Sequence, residues 1–246
     1  MVKLVGILNV TPDSFSDGGQ FLDPIAAVAQ AKQLFADGAS LIDVGAESTR
    51  PNAIPLTDAE EWTRLEPVLK VLIPAYPELI SLDSYHPVTF EQAFAIGPVI
   101  MNDVTGFNDP DMVEMAICLK ATVIISHLPN MSLQEAHKLA PVNSMETVKY
   151  DLLTKAALLE SKGLGREQII LDPGIGFGKT MELNRQLLTF AELVPEYKVM
   201  IGHSRKRFLG DRRMALEPNL QAGKTAIAHG AAYLRVHDVA GHAKLL

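Results

Sequence analysis

A chain of 246 residues, 48% hydrophobic, is long enough for one large buried core, and its formal charge of -7 argues against a duplex nucleic-acid binder, which needs a broad basic face. A lone cysteine, Cys118, excludes an intrachain disulfide framework and fits a reducing compartment, so a cytoplasmic location is expected. No charged-then-apolar leader opens the chain and no apolar run approaches ~18 residues, so neither secretion nor membrane spanning is expected.

In chain order, eight short runs of branched apolar residues each end in a polar one. VKLVGILN ends at Asn9, and SLIDVGAE ends at Glu47. LISLD ends at Asp83, PVIMND at Asn102 and Asp103, and TVIISH at His127. QIILD ends at Asp172, YKVMIGHS at His203 and Ser204, and AYLRVHD supplies Arg235, His237 and Asp238. Near-continuous apolar runs of this length are the mark of parallel strands covered on both faces.

Helical patterns separate the runs. DPIAAVAQAKQLFADG opens on Asp23 as a cap candidate, with Pro24 in the first turn and Gly38 as a stop. TDAEEWTRLEPVLKVLIPAYP has Thr57 three residues before Glu60, a capping-box signature, and Pro67 predicts a kink or break within it. Trp62 in that segment is most simply a packing residue. HPVTFEQAFAIG, DPDMVEMAICLK, SMETVKYDLLTKAALLESKG, MELNRQLLTFAELVP and NLQAGKTAIAHGA fill the next five slots. Cys118, inside MVEMAICLK, reads as a small core hydrophobe. Gly38, Gly97, Gly163 and Gly230 each follow a helix and precede a strand.

Strands alternating with helices imply parallel pairing through right-handed crossovers. Eight such units predict a single domain over residues 1–246, an α/β chain closed into a (β/α)8 TIM barrel; an open doubly wound sheet is the alternative. After the last strand only VAGHAKLL remains, about two helical turns, so the eighth helix is expected to be short. The apolar flank beside strand eight is then left open or covered by a partner subunit.

In a closed barrel of this type the active site lies at the carboxyl ends of the strands. Those ends supply carboxylates (Asp83, Asp172), amides (Asn9, Asn102) and cations (Lys206, Arg235), with Arg50 in a loop. A buried carboxylate accepts two parallel N–H bonds from an amidine-like ring edge, and the cations suit phosphate. GHSRKRFLGDRR carries Arg205, Lys206, Arg207, Arg212 and Arg213; Lys206 lies close behind a strand end, whereas Arg212 and Arg213 also read as a solvated loop. Taken alone, Asn9 and Asn102 could cap strands, and Asp83 and Asp172 could pair with structural arginines. His127 and His203 sit at strand ends with no clear ligand assignment, and His86, His137, His229 and His242 read as helix or loop residues. GIGFGKT is not a Walker loop, because Pro173 stands where glycine is required, and Lys179 breaks a dinucleotide fingerprint. Asn9 and Thr11 replace the His-x-His of metal-dependent barrel hydrolases.

Several segments together resemble one family. GILNVTPDSFSDGG (Gly6 to Gly19) resembles the first signature of dihydropteroate synthases, and DVGAESTRP (Asp43 to Pro51) the second. SLDSY, NDVTG, LDPGIGFGKT, SRKRFLG and RVHDV resemble the remaining blocks, in family order, over essentially the whole chain. The resemblance implies a (β/α)8 barrel, often a homodimer, that joins 6-hydroxymethyl-7,8-dihydropterin diphosphate to p-aminobenzoate and releases diphosphate. It implies that Asp172 takes the pterin 2-amino and N3–H edge, Asn102 the neighbouring nitrogens, and Asp83 the far side of the dihydropyrazine ring. Lys206 reaches the oxo group and N5. Arg235 stacks on the pterin and, with His237, holds the diphosphate beside Asn9, which also ligates Mg2+. Asp13, Phe15 and Asp17 belong to a first mobile loop, Asp13 or Asp17 stabilising the cation at carbon 9. Thr49, Arg50 and Pro51 belong to a second loop. Ser204, Phe177 and the backbone near Arg207 border the p-aminobenzoate.

The chain departs from the family pattern in two places. Asn52 follows Arg50-Pro51 where glycine is usual, and Ser126-His127-Leu128 replaces a Met-His-Met segment. A pterin-binding methyltransferase domain or a catalytically silent paralogue are the alternatives. The first has no need of Lys206 in SRKRFLG or of the DSFSDGG loop. Against the second stands the intact set Asn9, Arg50, Asp172, Lys206, Arg235 and His237.

Overall fold

The computed structural model describes residues 2–11, 23–47, 55–129 and 141–246. Eight parallel strands close into a barrel in sequence order: β1 (Lys3–Asn9), β2 (Leu41–Gly45), β3 (Ile80–Asp83), β4 (Ile100–Asp103), β5 (Val123–Ser126), β6 (Ile169–Asp172), β7 (Lys198–Ile201) and β8 (Tyr233–Val236). β1 pairs with both β2 and β8, which removes the sheet edges. Helices follow the strands: α1 (Pro24–Ala36), α2 (Asp58–Ala75), α3 (Pro87–Ile96), α4 (Pro110–Cys118), α5 (Met145–Ser161), α6 (Met181–Gln186), α7 (Leu216–Ala228) and α8 (Val239–Ala243). The closed barrel expected from the alternation is therefore the one formed, and the open sheet is excluded.

Local chemistry explains where the helices begin. Asp23 accepts the Ile25 N–H at 2.9 Å, and Pro24 occupies the first turn of α1. Thr57 and Glu60 form the reciprocal capping box at the start of α2, with Thr57 N–H donating to Glu60 Oε2 at 2.9 Å. Pro67 does not break α2, which runs unbroken from Asp58 to Ala75. Leu65, Val68, Leu69, Leu72 and Ile73 hold both halves against the barrel, while Pro67 lies on the exposed face, where water can satisfy the freed carbonyl. The segment expected as one sixth helix divides into α6 and a 3-10 stretch, Leu187–Leu193. α8 is short, as expected, at 5 residues. Cys118 is exposed rather than in the core: it ends α4 one step past the buried stripe Met112, Val113 and Ala116. No helix among the described residues is long and apolar enough to cross a membrane.

The apolar residues bury in two layers. The larger fills the space between strands and helices, including Leu4, Leu8, Ile42, Leu82, Leu69 and Phe190. The smaller plugs the lumen with Val5, Leu41, Ile100, Ile124, Ile170, Met200 and Tyr233. Each fully buried Leu or Ile contributes about 1.5–3 kcal/mol, so the outer layer dominates stability while the inner one fixes the shape of the floor.

Candidate active site

Side chains alternate across a strand, so lumen residues recur every second position. From the apolar floor the pattern steps upward: Leu41 to Asp43, Ile100 to Asn102, Ile124 to Ser126, Ile170 to Asp172, and Tyr233 to Arg235. One pleat above a dry floor, the lumen becomes polar. Register aligns these groups at one height, with Gly45 opposite Asp83, Asp83 opposite Asn102, and Ser126 opposite Asp172. All strands are parallel, so all these ends open at the same mouth.

At the centre lies Asp43, which is 0% exposed. It accepts from Ser81 Oγ at 2.6 Å, from Asn102 Nδ2 at 3.1 and 3.2 Å, and from Arg235 Nε at 2.6 Å. Arg235 also donates through Nη2 to Asp83 Oδ2 at 2.7 Å. Burial would lower the Arg235 pKa, but Asp43 and Asp83 outweigh it and hold the guanidinium above its usual range. Burial pushes Asp83 up to about 7; Arg235 opposes the rise and Asp43 adds to it. One guanidinium serves two carboxylates. The charged pairing foreseen as the bland reading of Asp83 is thus present, yet it lies inside the site.

Across the mouth, Asp172 Oδ1 accepts the Gly174 N–H at 2.7 Å. Burial raises its pKa, against the pull of that hydrogen bond and of Arg235, Lys206 and Lys179. Lys206 stands over the Phe177 ring, its ammonium 4.5 Å from the centroid, a cation–π contact. Burial and Arg235 lower the Lys206 pKa to about 8, against the attraction of Asp172 and Asp83. Gly176 makes this approach possible. It has φ +92, and a Cβ there would lie 3.0 Å from Lys206 Cδ. On the neighbouring rim, Ser204 Oγ receives the His237 backbone N–H at 3.3 Å and lies 2.9 Å from its Nδ1. Asn9, at the end of β1, is exposed.

Asp83, Asn102, Asp172, Lys206 and Arg235 are therefore neighbours at one mouth of the barrel, linked through Asp43 and by their mutual charges, with Phe177 beside Lys206 and Ser204 beside His237. Asp13, Phe15, Asp17, Thr49, Arg50, Pro51 and Asn52 lie outside the described residues. His127 and His203 do not face the mouth. His127 Nε2 lies 3.2 Å from Asp151 on α5, and His203 Nε2 lies 3.0 Å from the Asn219 carbonyl and 3.2 Å from His242. Burial keeps both rings neutral, with pKa values near about 2 and about 4. Arg212 is exposed and pairs with Glu217 at 2.9 Å, as a solvated loop residue does.

Sequence reasoning missed three residues. Asp43 sits in the middle of a strand rather than at its end, although an acid inside an apolar strand was itself a signal. Lys179, which only disqualified a dinucleotide loop in the sequence, is buried and donates to the carbonyls of His127, Gly174 and Phe177 at 3.1, 2.8 and 3.0 Å. It clamps the loop carrying Phe177 onto the end of β5. Asn219 donates to the Arg213 and Ala215 carbonyls at 2.8 and 2.7 Å and accepts the Arg205 N–H at 2.7 Å, folding the segment that presents Lys206.

A closed parallel barrel whose lumen joins carboxylates and an amide to a cationic rim is a pterin-binding architecture, and a family profile described as pterin binding enzyme matches residues 5–237. The dihydropteroate synthase of Clostridium beijerinckii is 36% identical over 96% of this chain and 88% of its own. The crystal structure of Xanthomonas albilineans dihydropteroate synthase with 4-aminobenzoic acid superposes with a TM-score of 0.88 at 34% identity, covering 99% of this chain and 90% of the other. The same enzyme in complex with 7,8-dihydropteroate gives 0.84 at 32% identity, covering 99% and 90%. The chain belongs to the dihydropteroate synthase family of pterin-binding enzymes, transferases of folate biosynthesis.

Proposed function

We propose that this chain condenses 6-hydroxymethyl-7,8-dihydropterin diphosphate with p-aminobenzoate, giving 7,8-dihydropteroate and diphosphate. The observation that carries this reading is the convergence of Asp83, Asn102, Asp172, Lys206 and Arg235 above an apolar floor. The flat heterocycle would rest on that floor, with its N–H edge on Asp172 and Asn102. Lys206 meets the ring oxo group, and Arg235 turns from the lumen acids to the ring face and the diphosphate. Phe177 and Ser204 flank the p-aminobenzoate.

The substitution is dissociative. The bond from carbon 9 to the diphosphate oxygen breaks, and its electron pair leaves with the diphosphate. His237 and Arg235, with Arg50 from the second loop, offset the charge of the departing anion. The electron-rich ring spreads the positive charge left on carbon 9, and Asp13 or Asp17 is the carboxylate that the family resemblance assigns to stabilising it. The aniline nitrogen attacks carbon 9, and its proton passes to the released diphosphate or to water. A weakly basic aniline needs no strong general base. Closure over the mouth excludes water, which would otherwise capture the cation.

Mg2+ suits the same rim. It takes one or two hard protein oxygens, with substrate phosphate and water completing the shell, and the exposed Asn9 offers one amide oxygen there. When bound it supplies charge neutralisation at the leaving group. The chain would act in the cytoplasm as a homodimer, with a partner covering the flank left by the short α8.

The test is incubation with pterin diphosphate, p-aminobenzoate and Mg2+, following diphosphate and dihydropteroate together. Asp172→Asn and Lys206→Ala should each abolish product formation while leaving the far-ultraviolet circular dichroism unchanged. Near-normal turnover in either variant refutes the assigned roles.

A further inference from the structure

Beside the mouth, outside the pterin site, three side chains converge without completing their bonding. Glu47 follows β2, Glu61 lies in the first turn of α2, and His86 is the N-cap of α3. Glu61 is 0% exposed, and its Oε2 accepts from Ser84 and Thr89 at 2.8 and 2.5 Å. Its Oε1 is buried and makes no hydrogen bond, and the same holds for Glu47 Oε2 and His86 Nε2. One donor atom from each residue lies within 4.8 Å of the other two.

The imidazole is oriented for a ligand. His86 Nδ1 lies 2.7 Å from Asp58 Oδ1; the acids around it, Glu47 first, favour the protonated ring, and loss of the Nε2 proton would leave that lone pair facing the two glutamates. A carboxylate behind a histidine is the usual outer support of a metal-binding ring. His86 also makes no side-chain cap bond at its N-cap position, where Ser, Asp or Asn would serve α3 better. Its 3.5 Å separation from Glu47 Oε2 is long for a hydrogen bond but suits two ligands of one ion with arms of roughly 2.0–2.2 Å.

We propose that Glu47, Glu61 and His86 form a binding site for one divalent transition cation of the zinc class. Two carboxylates and an imidazole favour such an ion over Mg2+ or Ca2+, which prefer oxygen alone. Three protein ligands leave a fourth position for water. The ion ties the end of β2 to the starts of α2 and α3, directly ahead of the segment carrying Thr49 and Arg50. It acts as a staple between these three elements rather than as the metal of the diphosphate.

The full chain is stripped with chelator, dialysed, and titrated with Zn2+ by calorimetry and with Co2+ by visible absorption. The expected result is one ion per chain, a tetrahedral Co2+ spectrum and a raised melting temperature. His86→Gln should lose this ion, and Asp58→Asn should bind it about 10–100-fold more weakly. Both variants are checked for fold by circular dichroism, and Glu61→Gln repeats the test should His86→Gln fail to fold. The proposal is overturned if the stripped chain binds no Zn2+ at 100-fold molar excess, or if His86→Gln binds as the parent does. In the first case His86 is only a protonated bridge between Glu47 and Asp58.

Discussion

Arg235 on β8 and Asp43 on β2 meet at 2.6 Å across the inner face of β1, the strand that separates them. The contact joins two strands that share no ladder, and Arg235 continues to Asp83 on β3. Arg235→Ala would leave two carboxylates without their cation, one of them fully buried. Removing one partner of a buried pair costs about 3–5 kcal/mol. Because Arg235 and Asp83 are each 21% exposed, about 3 kcal/mol is expected. Urea denaturation of parent and variant measures it, and a loss under 1 kcal/mol would show that water already screens the network.

The same network sets a pH window for the free enzyme. Asp83 is a charged, acceptor-only group when ionised, which happens above about 7 because burial raises its pKa. Lys206 is a donor cation only below about 8, because burial lowers its pKa. Affinity for a pterin ligand should therefore peak between these values and fall on both sides. Calorimetric titration from pH 5.5 to 9.5 checks it. A flat profile would place the protons elsewhere.

Gly176 and Lys206 give a prediction at one methyl group. Gly176→Ala forces a side chain onto φ +92 and a Cβ against Lys206 Cδ at 3.0 Å. The backbone term is worth about 1–3 kcal/mol. The ammonium must also leave its seat over Phe177, so turnover should fall at least tenfold while the fold survives. Steady-state kinetics beside a melting curve separates the two effects.

His203 should leave its mark in acid. Burial, and then His242, lower its pKa to about 4 from an ordinary 6.5. Below pH 6.5 the unfolded chain takes a proton that the folded chain refuses, so this group costs stability as pH falls to about 4. The loss is about 1.4 kcal/mol per pH unit, about 3 kcal/mol in all. His203→Gln keeps a donor for the Asn219 carbonyl and should have the shallower slope in that window. Equal slopes in the two proteins would mean that the buried ring titrates normally.

The architecture was legible because both signals were local. Branched runs such as QIILD and caps such as Thr57 with Glu60 are written in neighbouring residues. The strand-end ring followed from the same logic, since one barrel rule places Asp83, Asn102 and Asp172 together. Asp43, Lys179 and Asn219 escaped because their partners lie far along the chain: Asp43 meets Arg235 192 residues away, and Lys179 reaches the His127 carbonyl 52 residues away. Cys118 was misjudged because helix composition does not reveal which face a residue takes. Glu47, Glu61 and His86 belong to three different loops and helices, and only closure brings them together.

Tyr233, Met200 and their neighbours stopper the lumen of the cylinder below the polar strand ends. Whatever seats deepest must arrive first and depart last. With the substrates seated as proposed, traffic would be ordered by depth: the heterocycle would precede the aromatic amine, and diphosphate would clear the threshold before the joined product backs out.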